Sequence, residues 1–299
     1  MRQPIVILAL SISLALAGCA GNPPQESAPA PATAAATAPS AHGSASLEEV
    51  LAGTQRSEAN RKRDIYRHPV QTLQFFGVTP AMRVIEITPG GGWYSEILAP
   101  WLQASGQYVA AIWDDTQPNI PGYYANLNRQ LRAKFAADPA VYGKAQILVF
   151  DSKAPDFSAG APADAVLTFR NVHNWTQAGN DAAWFKAFFD VLKPGGVLGV
   201  VDHRANPGTT AAESAKLGYI TEEYVIGLAT AAGFVLEEKS EVNANPKDTK
   251  DYANGVWTLP PTLALEDKDR EKYLAIGESD RMTLRFRKPG GDAIHTSND

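Results

Sequence analysis

With 299 residues, 44% hydrophobic and 20% charged, the chain has room for one large domain and the make-up of a globular protein, which excludes a fully disordered chain and a multi-pass membrane protein. Its 27 Lys and Arg against 32 Asp and Glu give a formal net charge of -5, the wrong sign for a general nucleic-acid binder. A single cysteine excludes an intrachain disulfide, a CxxC redox centre and any multi-cysteine metal site, and the five histidines form no HExxH or other metal motif.

The chain opens Met1-Arg2 and runs apolar from Ile5 to Leu16, too short to span a bilayer, before Leu16-Ala17-Gly18-Cys19. A charged start, a short apolar run and small residues ahead of a cut site predict a secretory signal over residues 1–18. The Leu-Ala-Gly-Cys tetrapeptide resembles the bacterial lipoprotein signal, in which the cysteine becomes the lipidated N-terminus. Ala20, rather than Asp, after Cys19 then implies the outer membrane and a domain facing the periplasm. Residues 20–46, mostly Ala, Pro, Thr and Ser, have almost no large apolar side chain and predict a flexible tether behind the anchor.

The domain proper is expected over residues 47–290, with a helical cover at 47–80 and a tail at 291–299. From residue 82 strands and helices alternate. Strands are predicted at Met82–Thr88, Gln107–Trp113, Ala145–Phe150, Ala163–Phe169, Val197–Asp202, Phe234–Val242 and Met282–Arg287. Helices are predicted at Trp93–Leu102, Asn126–Ala137 and Ala182–Leu192, and at Thr221–Ala232 with Thr221 as N-cap and Gly233 as stop. Apolar strands separated by helices predict a doubly wound, mostly parallel, seven-stranded Rossmann-like α/β sheet with helices on both faces. No helix separates the last two strands, which leaves that end open to antiparallel pairing. Residues 243–280 read as an insertion that either shapes a pocket or is a surface excursion. Ligands of such sheets sit at the carboxyl ends of the strands, beside the point where strand order reverses.

The first strand runs into Glu86-Ile87-Thr88-Pro89-Gly90-Gly91-Gly92 and then a helix. Glycines there admit positive φ and close approach of a ligand to the backbone, and the helix N-terminus adds free N–H groups. A dinucleotide site asks for Gly-x-Gly-x-x-Gly; here the third glycine is missing and Trp93 and Tyr94 crowd the pyrophosphate position.

A wider set of residues resembles the class I S-adenosylmethionine (SAM) methyltransferases: Glu86 to Gly92 after strand one, Asp114 after strand two, Asp151 after strand three, and Leu192-Lys193-Pro194-Gly195-Gly196 before strand five. Tyr66-Arg67-His68-Pro69, Phe169 to Trp175 and Val201 to Ala205 are similar to a bacterial group of predicted methyltransferases, for which no substrate follows. The resemblance implies SAM as cofactor. Glu86, Pro89, Gly90, Gly91 and Gly92 would lie along its methionine and ribose portion, Asp114 or its neighbour Asp115 would accept from the ribose hydroxyls, and Asp151 would accept from the adenine amino group.

Methyl transfer requires alignment and, for an O–H or N–H nucleophile, a base. Arg170, Asn171, His173 and Asn174 follow strand four, and His203 and Arg204 follow strand five, on one rim. His173 or His203 would serve as base, and Arg170 or Arg204 would hold an anionic substrate. Alternatively Asn171, His173 and Asn174 form a hydrogen-bonded scaffold. The Asn-Pro-Pro-Tyr signature of nucleic-acid amino methylation is absent, which with the acidic charge disfavours nucleic acid as partner. The expected substrate is a small molecule or envelope component. SAM, however, is made in the cytoplasm, so the expected location leaves open a second reading: a non-catalytic small-ligand-binding lipoprotein on the same fold.

Overall fold

A computed structural model describes residues 45–118 and 120–290. The segments read as signal peptide (1–18) and tether up to residue 44, with Cys19 between them, and the tail 291–299 lie outside the described residues. Four short helices come first: α1 (Leu47–Ala52), α2 (Glu58–Arg61), α3 (Asp64–Arg67) and α4 (Pro69–Phe75). Ser46 caps α1 in a reciprocal capping box with Glu49. His68, at φ +40°, makes the corner between α3 and α4.

The rest alternates: β1 (Arg83–Ile87), α5 (Ser95–Leu102), β2 (Gln107–Trp113), α6 (Gly122–Ala137), α7 (Pro139–Tyr142), β3 (Gln146–Phe150), β4 (Ala163–Phe169), α8 (Val172–Ala178), α9 (Asp181–Val191), β5 (Leu192–His203), α10 (Ala211–Lys216), α11 (Glu222–Ala231), β6 (Val235–Ser240), a 3-10 turn at Gly255–Thr258, α12 (Arg270–Ile276) and β7 (Arg281–Arg287). The seven strands form one sheet in the order β3-β2-β1-β4-β5-β7-β6. The first five are parallel, and β7 runs antiparallel to both β5 and β6.

The period of two in a strand divides the core in two. On β1, Ile85 and Ile87 pack with α8, α9 and α11 on one face, while Val84 packs with α1, α4, α5 and α6 on the other. The predicted doubly wound architecture is the one observed. Differences lie at element ends. Lys193-Pro194-Gly195-Gly196, expected as a helix stop before the strand, belongs to β5 itself. Leu192 pairs with Ala163 ahead of a register shift, and Gly195 takes φ +77° there. Helix α6 starts four residues before the predicted Asn126, and α8 and α10 are short helices that no long apolar period announces.

Strand order reverses between β1 and β4, which lie side by side with β2 outside β1 and β5 outside β4. The loops at their carboxyl ends therefore converge where a doubly wound sheet presents its ligand cleft.

Candidate active site

A cleft of about 650 Å³ opens at that point. Its floor is the turn after β1. Thr88 and Gly90 take φ +48° and +59°. A Cβ built on Gly90 or Gly91 would meet no atom within 4 Å, so both present open backbone, and both line the cleft. Gly92 does not line it: a Cβ there would stand 3.0 Å from Leu131 Cδ1, with φ at +81°, so this glycine serves the packing of α6 on the start of α5. Trp93 and Tyr94 line the same cleft as the glycines and are held from behind. Tyr94 stacks on Phe169 at 3.8 Å between centroids, and Trp93 donates to the Asn60 carbonyl at 2.9 Å under the guanidinium of Arg67.

Glu86, the fourth residue of β1, lines the cleft yet is only 3% exposed, and accepts from the Tyr108 hydroxyl at 2.6 Å. Burial pushes its carboxyl up to about 7 despite that hydrogen bond. Two more groups on the cleft wall, Thr88 Oγ1 and Trp113 Nε1, are buried without a hydrogen-bond partner. Buried polar atoms are seldom left so. An open glycine backbone, two unpaired polar atoms and a carboxylate able to accept fit a ligand with mixed polar and apolar parts, which SAM is.

The ends of β2 and β3 border a second cleft of about 520 Å³, with Trp113, Tyr124 and Asn174 on both. Trp113 and Tyr124 stack at 4.0 Å between the two. Asp114 lines this second cleft, its Oδ1 accepting from the Thr116 backbone and hydroxyl at 3.0 and 2.6 Å. Asp115 instead points toward Arg132 at 3.8 Å. Asp151 accepts from the Lys153 N–H at 2.9 Å and lines neither cleft, although its neighbours Ser152 and Lys153 line the second. The structure thus brings Glu86, Pro89, Gly90 and Gly91 together in the main cleft, with Asp114 next door and Asp151 behind.

Across the cleft from the glycines stand the loops after β4 and β5. The His173 Nδ1 lies 2.8 Å from Asp202 Oδ1, and the same carboxylate accepts the backbone N–H groups of His173 and His203 at 3.2 and 2.7 Å. Asp202 is fully buried. This leaves the Nε2 of His173 as its ring nitrogen for the cleft. His203, 5.4 Å away between centroids, has its Nδ1 on Ser279 Oγ. Burial first, then His173 and the nearby arginines, push the His203 imidazole well below the ordinary range, so it is neutral at physiological pH. Asn171 Nδ2 donates to the Ile87 carbonyl and to Thr168 Oγ1 at 3.2 and 3.1 Å, tying the loop after β4 to the end of β1. Asn171 therefore scaffolds, and Trp175 stacks on Trp184 in the core.

Arginines fill the same end. Arg63, Arg67, Arg170 and Arg281 all line the main cleft. One carboxylate, Glu278, pairs with three of them: Arg63 at 2.5 Å, Arg67 at 3.6 Å, and Arg281. Burial alone would raise the Glu278 carboxyl, but Arg281, Arg63 and Arg67 together hold it at about 2. Arg204, expected with Arg170 as an anion holder, lies elsewhere: Asp280, Glu222 and Glu241 hold it at 2.8, 2.9 and 2.7 Å, away from the main cleft. The insertion is no mere excursion, since Val256, Trp257 and Thr262 line the cleft and Glu278 stands at its end. Among the described residues no group of three or more His, Cys, Asp or Glu is placed to hold a metal, and no helix is long and apolar enough to cross a membrane.

Sequence reasoning missed Arg63, Arg67, Asp202, Glu278 and Arg281 as site residues. The signals were Tyr66-Arg67-His68-Pro69 and Val201 to Ala205, in which Arg67 and Asp202 carry no assigned role, and the charged run Glu278-Ser279-Asp280-Arg281 at the mouth of a strand.

No family model matches the chain, and no curated protein matches it either. Solved structures do. A candidate sarcosine dimethylglycine methyltransferase from Galdieria sulphuraria superposes with a TM-score of 0.51 at 13% identity, over 77% of this chain and 86% of that one. A SAM-dependent methyltransferase from Aquifex aeolicus matches with a TM-score of 0.46 at 16% identity, over 76% and 93%. A candidate methyltransferase from Bacillus halodurans C-125 gives 0.48 at 17%, over 74% and 98%. The fold is that of the class I methyltransferases.

Proposed function

We propose that this protein is a SAM-dependent methyltransferase acting on a small molecule or envelope component, anchored in the outer membrane through a lipid on Cys19 and facing the periplasm. The observation that carries the catalytic part is the meeting of the open Gly90–Gly91 backbone and the His173–Asp202 pair in one cleft at the switch point of a methyltransferase-type sheet. When bound, SAM supplies a methyl group activated on a sulfonium. Gly90 and Gly91 would hold it by backbone contact, Glu86 would accept from its ammonium, Trp113 Nε1 would donate to it, and Asp114 on the adjoining cleft would serve the ribose, while the adenine role expected of Asp151 would require that carboxylate to turn in from outside both clefts.

The remaining work falls to His173. Asp202 accepts from Nδ1, which fixes the tautomer with a lone pair on Nε2 and stabilises the imidazolium after proton uptake. A proton leaving an acceptor O–H or N–H thus passes to Nε2. His203, neutral and held by Ser279, completes the wall.

Ligand binding without transfer is the second reading, favoured by one observation: the carboxylates of Asp114 and Asp151 already cap their own turns. Calorimetric titration of SAM, of S-adenosylhomocysteine (SAH) and of NAD into the purified protein separates the two. Micromolar binding of SAM or SAH, lost in Gly91→Leu, supports the methyltransferase; silence from all three on a folded sample leaves the binding lipoprotein. For the anchor, Cys19→Ser should release the protein from the membrane fraction and remove the lipid mass. Unchanged fractionation and mass would refute it.

A further inference from the structure

The guanidinium of Arg170 makes no ion pair and no hydrogen bond among the described residues, although it sits half-buried on the cleft wall at φ +63°. Arg63 Nη2, Arg67 Nε and Nη2, and Arg281 Nε are buried and make no hydrogen bond, the Arg67 Nε standing 3.6 Å from Glu278. Arg67 and Arg281 are only 5% and 3% exposed. Arg67, Arg170 and Arg281 also line one small recess of about 10 Å³, together with Tyr94, Phe169, Val201 and Asn243, so the three lie around a common point. The acids within reach do not balance them. Glu278 is shared by three arginines, Asp202 is taken up by His173 and two backbone N–H groups, and Glu86 is half protonated at neutral pH. Burial and like-charged neighbours lower both Arg67 and Arg170, the latter to about 10, the sign of mutual repulsion among these guanidiniums.

We infer that this end of the cleft is an anion site, and that the acceptor substrate is a small molecule whose carboxylate or phosphate docks on Arg67, Arg170 and Arg281 beside His173. Fixed guanidinium forks are suited to carboxylate and phosphate, and a strained, like-charged cluster retained in a cleft marks a bound counter-charge. The inference rests on the methyltransferase reading for the word acceptor, since SAM carries a carboxylate of its own. That single group is too small a partner. Arg170 alone offers about five N–H donors against about four acceptor positions on a carboxylate, and the unpaired nitrogens of Arg63, Arg67 and Arg281 add to them.

Inorganic phosphate is the probe. It is titrated, with tryptophan fluorescence as readout, into the wild-type protein, into the protein saturated with SAH, and into Arg170→Met. Arg170 has no partner to orphan, so that variant keeps its fold; circular dichroism checks it. The expected result is saturable phosphate binding with and without SAH, at least tenfold weaker in Arg170→Met, while that variant binds SAH within about threefold of wild type. Competition between phosphate and SAH would overturn the proposal by assigning the arginines to the cofactor's carboxylate. Phosphate binding that Arg170→Met leaves unchanged, or no binding, would overturn it too. If SAH fails to bind while phosphate binds through Arg170, the anion site stands and the methyltransferase reading falls.

Discussion

Two arginine clusters stand at the same edge of this sheet, and they are built in opposite ways. Around Arg204, three carboxylates (Glu222, Glu241 and Asp280) meet three cations, with Lys239 and Lys250 completing the set. In the other cluster three guanidiniums share Glu278 while Arg170 pairs with no carboxylate, and several of their N–H groups make no hydrogen bond. Hydrogen bonding to Glu241, partly offset by burial, and then to Asp280 lifts Arg204 above its ordinary value, whereas burial and Arg281 bring Arg170 down. A charge set that closes on itself holds elements together. One that does not close is waiting for something from outside.

The comparison can be broken at several points. Arg204→Met should destabilise the protein by about 3 kcal/mol, because Glu241, Asp280 and Glu222 lose the guanidinium they share and only Lys250 and Lys239 remain, on Asp280 and Glu222, and it should leave phosphate binding unchanged. Urea unfolding with the titration above checks both.

Next in size are two opposed pH effects. Glu278 ionises at about 2 in the fold against 4.5 in a free chain, so its contribution is complete above about pH 4.5 and disappears as pH falls toward 2. Glu86 ionises at about 7, so it favours folding while protonated, and that contribution disappears as pH rises from 4.5 through 7. Each is of the order of 2–3 kcal/mol. Glu278→Gln should flatten the acid limb of a stability–pH curve, and Glu86→Gln the limb between pH 4.5 and 7.

The glycines offer a sharper contrast at smaller cost. Gly91→Leu should fill the cradle and abolish SAM binding with a change in stability under about 1 kcal/mol, whereas Gly92→Ala should cost about 1–2 kcal/mol through its positive φ and the contact with Leu131. Calorimetry and thermal unfolding separate the two. Smallest of all, Arg170→Met should leave stability unchanged or raise it by up to about 1 kcal/mol, since it relieves repulsion without stranding a partner. A clear loss of stability would show that Arg170 holds the fold.

The sheet was legible because its signals are local. Runs such as Val84-Ile85-Glu86-Ile87 and Ala163 to Phe169 show strand composition, Thr221 and Gly233 punctuate a helix, and the glycine turn marks the first carboxyl end. The rim histidines were legible because they lie at or just beyond the carboxyl ends of strands, His203 closing β5 and His173 four residues after β4. The arginine end was not, since Arg63 and Arg67 lie some two hundred residues before Glu278 and Arg281, and no period joins them. Arg204 misled for the same reason: its partners Glu222, Glu241 and Asp280 come from three later segments. Charge balance is a property of the fold and has no counterpart in a stretch of sequence.

The last strand of the described chain is not an edge strand. β7 fills the gap between β5 and β6, and it brings Arg281 with it. A polypeptide emerging residue by residue therefore has β6 with no neighbour, and a cleft without Arg281, until β7 is free. Truncation before residue 281 should yield a chain that exposes two unpaired strand borders and recognises no anion, a form fit for proteolysis rather than for partial activity. Arg63, Arg67 and the glycine turn come first, and the strand that completes the end that would choose what the protein acts upon comes last.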